Sequence, residues 1–450
     1  MPAPISHRPI PSLPLAAAAL LGLAAPFAGF LASDARAAQS PVPPDRFLAA
    51  AREAADRAPP ACAATARTGA DGRVTESPLP AMIQGAAAGT TGGLGRRLYT
   101  VTRLDDAKAS RSRPSPEGTL RWAVEAARQG GGWIAFAPGL TGTLHLEAGL
   151  HLPSDTTLDG GCGGITLTAA PRTTQLTLTD ARNVIVSGLT FTKDAYDDKA
   201  DKTGDAIALT DQFDQVAILH NAFHRCGDGC VDIVRKERFA SGARATVAFN
   251  HFAQHNKVML IGTLTCYKDA AAEGCADPLA HLGDVMEPRV LVTVAGNVFA
   301  GTSQRHPKVV SNAAVHLTNN LFALSPTAYS NGADSAVYGS ATGTGGVLVA
   351  EGNIFVNPDR AGRIGAGPIS VVRASTGGGH EADGVVAAGD NVTVGNIRVV
   401  ENRPEIARAV PIQAGAVLRV SDKGPEALAT CLLRIAGPQG ATAAWPQACR

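Results

Sequence analysis

The chain has 450 residues, of which 45% are hydrophobic, and it contains 49 glycines. It is too apolar to be intrinsically disordered, and it is long enough for one large domain or two ordinary ones. Forty Lys and Arg residues against 39 Asp and Glu residues give a net charge of +1. No overall field therefore attracts a polyanion, and nucleic acid is not indicated as a partner.

The first element in chain order is an apolar N-terminal segment. A hydrophobic run extends from about Leu15 to Leu31, and an Ala-Arg-Ala cleavage pattern follows at 35–37. This order predicts a signal peptide over residues 1–37 and a secreted bacterial protein, extracellular or periplasmic. A single uncleaved membrane anchor is the alternative, but no basic stop-transfer segment follows the run. We expect residues 38–80 to form an N-terminal extension and no later segment to enter a membrane.

The stretch GTLRWAVEAARQGGGWIAF, residues 118–136, predicts one amphipathic helix followed by a buried strand. Thr119 is the candidate N-cap, and the glycines at 130–132 end the helix. The apolar face of this helix comprises Leu120, Ala123, Val124 and Ala127. A helix at this point would cover the exposed edge at the start of a solenoid.

A short sequence motif recurs between about residues 155 and 356. It consists of a strand with alternating apolar residues, a polar turn and an apolar residue. Its Asn-x-Phe core occurs at Asn221/Phe223, Asn250/Phe252, Asn297/Phe299, Asn320/Phe322 and Asn353/Phe355. Recurring strand units without helical periodicity between them predict an all-β solenoid, a parallel β-helix. In such a coil, Asn side chains satisfy the turns and stack on one another, and Phe side chains form core stacks. An antiparallel sandwich is the alternative, but the Asn-Gly or Asp-Gly hairpin turns that it favours are missing.

Eight cysteines in an exported chain favour disulfides over thiolate ligands. Cys266 with Cys275 and Cys431 with Cys449 are close in sequence and are expected pairs. The partners of the cysteines in CGDGCVD, residues 226–232, stay open: the two could pair with each other, or either with Cys62 or Cys162. We expect residues 361–450 to pack on the solenoid as terminal coils and a tail, cover its second end, and be closed by a disulfide.

Three carboxylates are the candidate metal ligands. Asp228 and Asp232 are four residues apart with Gly229 between them, and Asp205 lies one repeat earlier, where a solenoid would place it on the neighbouring coil. Oxygen ligands without a required His or thiolate form a site for a hard cation, and outside the cell this cation is Ca²⁺ by default. For Asp228 taken alone, ordinary turn chemistry is the simpler interpretation.

Basic residues follow two of the Asn turns. Lys257 follows the turn at Asn250, and Arg305 and Lys308 follow the turn at Asn297, at similar offsets. A single Lys or Arg is usually a solvated surface charge. Aligned beside a carboxylate cluster on adjacent coils, these residues predict a cleft that binds a carboxylated polymer.

Over roughly residues 85 to 325 the sequence resembles the pectate lyase family of polysaccharide lyases. The resemblance rests on TTGGLGRRLYTVTRL (90–104), EGTLRWAVE (117–125), LPSDTTLDGGCGGITL (152–167), and then GDAIAL, DGCVDI, HNKVMLIG and RHPK followed by VHLTNNLF, all in order. It implies a right-handed parallel β-helix, with a catalytic domain over residues 81–360. It also implies a secreted, monomeric enzyme that cleaves α-1,4-polygalacturonate by calcium-assisted β-elimination and releases 4,5-unsaturated oligogalacturonides.

The resemblance also implies roles for individual residues. Asp205, Asp228 and Asp232 correspond to the calcium ligands, Lys257 to the lysine that binds the substrate carboxylate, and Arg305 to the catalytic arginine. The family usually has a second arginine five residues after the catalytic one, where this chain has Val310. Lys308 is the nearest basic residue and is the expected second substrate contact.

Other functions stay open on the sequence alone. A pectin lyase would lack calcium and carry an aromatic cleft, and the three aspartates and an aromatic content of only 5% argue against it. A lyase for another uronan is a further alternative. A hydrolase on the same fold would use clustered aspartates to activate water. A noncatalytic β-helix that binds acidic polysaccharide is the alternative from another class, because the second arginine is missing. Leu219 also stands where the family commonly has Asp.

Overall fold

A computed structural model gives the architecture of most of the chain between Ser33 and residue 438. The structure describes residues 33–34, 38–56, 66–106, 114–162, 164–195, 204–235, 242–263, 290–310, 313–323, 340–342, 346–357, 369–371, 384–395, 397, 399–412 and 424–438. Within these ranges, no helix is both long enough and apolar enough to cross a lipid bilayer.

The described residues form mostly strands, with a few helices. The strands are β1 Ser33–Asp34, β2 Ala38–Ser40, β3 Arg67–Thr68, β4 Val74–Glu76, β5 Leu98–Val101, β6 Gly132–Phe136, β7 Gly142–Leu146, β8 Leu150–His151, β9 Thr156–Asp159, β10 Ile165–Ala169, β11 Leu176–Ser187, β12 Thr190–Phe191, β13 Ile207–Leu219, β14 Ala222–His224, β15 Val231–Arg235, β16 Ala243–Ala248, β17 His251–Ala253, β18 Leu260–Thr263, β19 Val290–Ala295, β20 Val298–Ala300, β21 Lys308–Val309, β22 Ala313–Thr318, β23 Leu321–Ala323, β24 Ser340–Thr342, β25 Val347–Glu351, β26 Ile354–Val356, β27 Ile369–Val371, β28 Val385–Gly389, β29 Val392–Val394 and β30 Val400–Glu401. The helices are α1 Pro44–Asp56, α2 Leu79–Met82, α3 Leu120–Ala127, α4 Pro404–Ala409 and α5 Pro425–Ile435, with one 3-10 turn at Gly85–Ala87.

Two large parallel sheets run along the solenoid. One has the strand order β2-β29-β26-β23-β20-β17-β14-β12-β10-β7, so each coil adds its strand beside that of the previous coil. The other contains the path β27-β24-β21-β18-β15-β13-β16-β19-β22-β25-β28. Strand β13 pairs with β15 through its first half and with β16 through its second half, so it turns a corner of the coil. This parallel β-helix excludes the antiparallel sandwich.

The Asn and Phe repeats form the two predicted ladders. From Asn250 onward, each ladder Asn side-chain oxygen accepts hydrogen bonds from the backbone and side-chain nitrogens of the preceding Asn, at 2.9–3.2 Å. The Phe rings stack with centroids 4.6–5.0 Å apart and planes within 12° of parallel. The structure adds Asn391 to one ladder and Phe191 to the other. Both ladders are fully or almost fully buried and fix the register of successive coils.

Loss of one ladder asparagine has a large effect on stability. In Asn297→Ala, the backbone and side-chain nitrogens of Asn250 lose their acceptor, and the carbonyl of Val247 loses its donor. These groups are buried, so we expect the free energy of unfolding to fall by about 3 kcal/mol or more. Denaturant unfolding measures the change. The control, Thr143→Ala, alters an exposed strand position and should stay within about 0.5 kcal/mol of the parent; equal effects would contradict the ladder's role.

The N-terminal capping helix agrees with the sequence pattern. The Thr119 hydroxyl accepts a hydrogen bond from the Trp122 backbone nitrogen at 3.2 Å, and the predicted apolar face is buried. Helix α3 packs against β5, β6 and β8 at the first coils. Arg121 on this helix forms a buried two-pronged ion pair with Asp106, at 2.6 and 2.7 Å, which ties the helix to the preceding segment.

The C-terminal region differs in part from the prediction. Strands β28 and β29 continue the two sheets, and α4 packs on β25 and β28 at the late coils. Helix α5, however, lies along the flank of the solenoid and against α1, rather than only across the second end. Its carbonyl at Ile435 contacts the ring of His220 at 3.0 Å, and Gly437 donates to the carbonyl of Phe249 at 2.7 Å. Helix α5 packs on this flank because the outward-facing side chains of the flank are apolar.

Candidate active site

Successive coils bring the three predicted carboxylates together. Asp205 immediately precedes the segment leading into β13, Asp228 lies in the turn between β14 and β15, and Asp232 is on β15. Strand β15 pairs in parallel with β13, so Asp232 lies opposite Ala208, and Ala206 donates to the carbonyl of Gly229 at 3.1 Å. The repeat thus places residues more than 20 positions apart in sequence side by side.

Gly229 lies at the centre of this cluster. Its backbone nitrogen donates to Asp205 Oδ1 at 2.8 Å. A Cβ atom added at this glycine would lie 2.4 Å from Asp232 Oδ1 and 3.1 Å from Asp205 Oδ1. Both carboxylates therefore face the same small volume, and only glycine leaves room for them. Asp232 Oδ1 also accepts from the Leu260 backbone nitrogen at 3.0 Å.

Burial and mutual repulsion perturb these carboxylates. Burial raises the pKa of Asp205 to about 6, and the nearby charge of Asp228 adds to the shift. Burial, followed by the charge of Asp205, raises the pKa of Asp232 well above its ordinary value. Carboxylates that repel one another in a buried place need a cation beside them to be stable in the charged form. All-oxygen donors in this state fit a hard cation such as Ca²⁺.

The basic residues line the next coils, as their spacing predicts. Lys257 pairs in parallel with Gly229 on one side and with Gln304 on the other. Its ammonium donates to Asp228 Oδ1 at 2.6 Å, and both side chains are about one-fifth exposed. The predicted substrate lysine and one predicted metal ligand are therefore in direct contact.

Arg305 follows Gln304 in a left-handed backbone conformation, with φ of 60°. Its carbonyl accepts from the Met259 nitrogen at 2.9 Å, and its positive charge acts on both Asp205 and Asp232. Its Nε is buried and has no hydrogen-bond partner among the residues that the structure describes. Lys308 begins β21 opposite Leu260 and is partly exposed. The structure thus gathers the predicted site residues on adjacent coils.

Two further polar residues support the site and were not identified from the sequence. Lys193 is 5% exposed, and its ammonium donates to the carbonyls of Thr173 and Asp205. His255 is fully buried, its Nε2 lies 2.9 Å from the Asp228 carbonyl oxygen, and burial lowers its pKa to about 4. In the sequence, only their positions could have indicated them. Lys193 lies two residues after the core residue Phe191, and His255 lies two residues before Lys257.

The cysteines of CGDGCVD are bonded to each other. Cys226 and Cys230 form a disulfide, and their sulfurs lie close to the ring of His255. Because the sulfurs are joined, they do not offer thiolates to a soft metal, and the carboxylates stay the candidate metal ligands. Cys162 and Cys431 are also disulfide-bonded, and none of the described cysteines is free. The predicted partner Cys449 and the predicted pair Cys266 with Cys275 lie outside the described residues.

Val310 and Leu219, the two residues that differ from the family pattern, both lie in apolar, buried surroundings. Val310 is fully buried, and its side chain and carbonyl lie against Gly262, so its position faces the packed interior rather than the cleft. Leu219 is fully buried in the cluster that α1 and α5 cover. An apolar residue at 219 is what that covered flank requires.

Comparison with curated proteins relates the chain to plant pectate lyases. It is 31% identical over 289 residues to "Probable pectate lyase 4" of Arabidopsis thaliana, covering 62% of this chain and 65% of the relative. It is 28% identical to "Pectate lyase 1" of Chamaecyparis obtusa over 290 residues, covering 61% of this chain and 66% of that protein. The chain thus spans about two thirds of the length of these relatives. Both are plant proteins and lend no support to a bacterial origin. No family model matches the chain.

Solved structures show the same architecture. The major cedar pollen allergen Jun a 1 aligns with a TM-score of 0.53 and 21% identity, covering 79% of this chain and 92% of that one. A thermostable pectate lyase aligns with a TM-score of 0.50 and 15% identity, covering 79% and 97%. The fold of the chain is therefore a right-handed parallel β-helix, as predicted. The chain is thus similar in sequence to plant pectate lyases and shares the fold of the solved structures.

Proposed function

We propose that the protein is a secreted pectate lyase that cleaves α-1,4-polygalacturonate by β-elimination, with Ca²⁺ held by Asp205, Asp228 and Asp232. The observation that carries the proposal is the contact of acidic and basic groups on adjacent coils. Two half-buried carboxylates face Gly229, and Lys257 and Arg305 flank them. The signal-like segment supports secretion, and a monomer and a bacterial source are further parts of the proposal.

The carboxylates fit calcium in both number and state. Burial and neighbouring carboxylates raise the pKa values of Asp205 and Asp232, so a bound cation would stabilise the charged form of the cluster. When bound, calcium neutralises the carboxylate of a galacturonate unit and makes the proton on the adjacent C5 more acidic. This requirement for a cation distinguishes the proposal from a pectin lyase.

The residues of the chain then have separate tasks. Lys257 binds the galacturonate carboxylate and stabilises the negative charge that develops on it. Arg305 takes the C5 proton; the C5–H electrons form the C4=C5 bond as the C4–O bond breaks, and the departing glycosidic oxygen takes up a proton. A guanidinium ordinarily keeps its proton in proteins, so this role favours an alkaline reaction. Lys308 contacts the substrate beside Arg305, in place of the usual second arginine.

Ultraviolet absorbance of the unsaturated uronide tests the function. Purified protein acting on polygalacturonate at alkaline pH is expected to produce this absorbance with calcium and not with a chelator. Absorbance on methyl-esterified pectin without calcium would indicate a pectin lyase, and absorbance only on another polymer would indicate a different uronan lyase. Reducing ends without absorbance would indicate a hydrolase. Polymer binding without any product would support the noncatalytic alternative.

A further inference from the structure

In its turn, Asp228 has a glycine on each side, Gly227 and Gly229. Gly227 has φ of 98°, and a Cβ atom there would lie 2.3 Å from the Gly204 carbonyl oxygen. Gly229 also has no room for a side chain beside the two carboxylates. Both positions therefore require glycine, because a side chain would not fit there. Glycine is also the residue type with the greatest backbone conformational freedom. A predicted metal ligand therefore lies between two residues whose intrinsic backbone freedom is high.

This turn also makes three of the contacts that organise the site. The Asp228 carboxylate accepts from the Lys257 ammonium, and the Asp228 carbonyl contacts the ring of His255. The Gly229 nitrogen donates to Asp205 Oδ1 at 2.8 Å. A shift of the turn would therefore move one ligand directly and disturb another through its hydrogen bond.

The Cys226–Cys230 disulfide closes the ends of this turn, and both cysteines are fully buried. We propose that the bond is a positioning device: it holds the Gly227–Asp228–Gly229 turn in the conformation that binds Ca²⁺, and Cys226 and Cys230 are positioning residues for the lyase site. The inference rests on the proposed function. Groups that orient metal ligands commonly contribute 10- to 100-fold to metal affinity, whereas a purely structural bond would affect only stability.

Calorimetric titration with calcium, without substrate, tests this role. The parent protein is compared with the double variant Cys226→Ala/Cys230→Ala and with Phe252→Leu, which weakens a core aromatic stack but keeps the disulfide. We expect the dissociation constant for calcium to rise by about tenfold or more in the double variant only. Saturating calcium should restore its lyase rate, because the ligands are kept and only their placement is loosened. If the double-alanine chain does not fold, Cys226→Ala/Cys230→Val fills more of the vacated volume and is used instead.

The results separate this inference from the proposed function. If the parent protein binds no calcium, the proposed calcium site is wrong. If the parent binds calcium and the cysteine variant binds it equally well, only the positioning role is wrong. A matching loss of affinity in Phe252→Leu would also overturn it, because general destabilisation would then account for the effect.

Discussion

Replacement of Arg305 by alanine is expected to lower kcat on polygalacturonate by about a thousandfold, with little change in thermal stability. The guanidinium stands beside the carboxylate cluster, and its buried Nε has no hydrogen-bond partner in the described part of the chain, so no fold-stabilising bond from that atom is lost. The rate of formation of unsaturated product at saturating calcium measures the effect. Calcium affinity, measured without substrate, should fall by no more than a few fold.

Arg244→Ala is the matched control for this substitution. Arg244 makes a two-pronged ion pair with Asp214 at 2.6 and 2.8 Å, away from the predicted ligands. Its removal also deletes an arginine and should leave kcat unchanged. If Arg305→Ala retains more than about a tenth of the parent rate, Arg305 is not the group that takes the C5 proton.

The ladders show why the fold could be predicted from the sequence. The Asn side chain that satisfies one turn also bonds to the next Asn, so the same residue recurs once per coil whatever the length of the intervening loop. A repeat of this kind is visible without knowledge of any long-range contact. The flank position of α5 was not visible, because it depends on the apolar surface that several coils form together around Phe249.

The site was predictable only in part. The spacing of Asp228 and Asp232, and the position of Asp205 one repeat earlier, indicated the acidic cluster, and the family resemblance supplied the roles. The sequence did not reveal that Gly229 lies between two carboxylates or that Lys193 supports the Asp205 backbone. These contacts join different coils, and their geometry depends on the register between coils rather than on local pattern.

Asp205→Asn is expected to stabilise the calcium-free protein at pH 8 while preventing tight calcium binding. Asp205 has a folded-state pKa of about 6, above the ordinary value of 3.8, because burial disfavours its charge. A group with a raised pKa contributes stability that is fully present below about 3.8 and is lost as the pH rises through about 6. At pH 8 the parent therefore carries an unfavourable charge that Asn lacks, which costs about 3 kcal/mol.

Denaturant unfolding in a chelator at pH 4 and pH 8 measures the difference between the two proteins. The fold is also destabilised as the pH falls below about 6.5 by three histidines whose pKa values are lowered to about 4, namely the buried His220 and His255 and the half-buried His251. Because both proteins contain these histidines, their effect cancels in the comparison. Asp214→Asn, which removes an ion pair with Arg244, should instead destabilise the protein at pH 8. Excess calcium at pH 8 should reverse the order of parent and Asp205→Asn, since the cation stabilises only a cluster that keeps its ligand; an unchanged order would contradict Asp205 as a ligand.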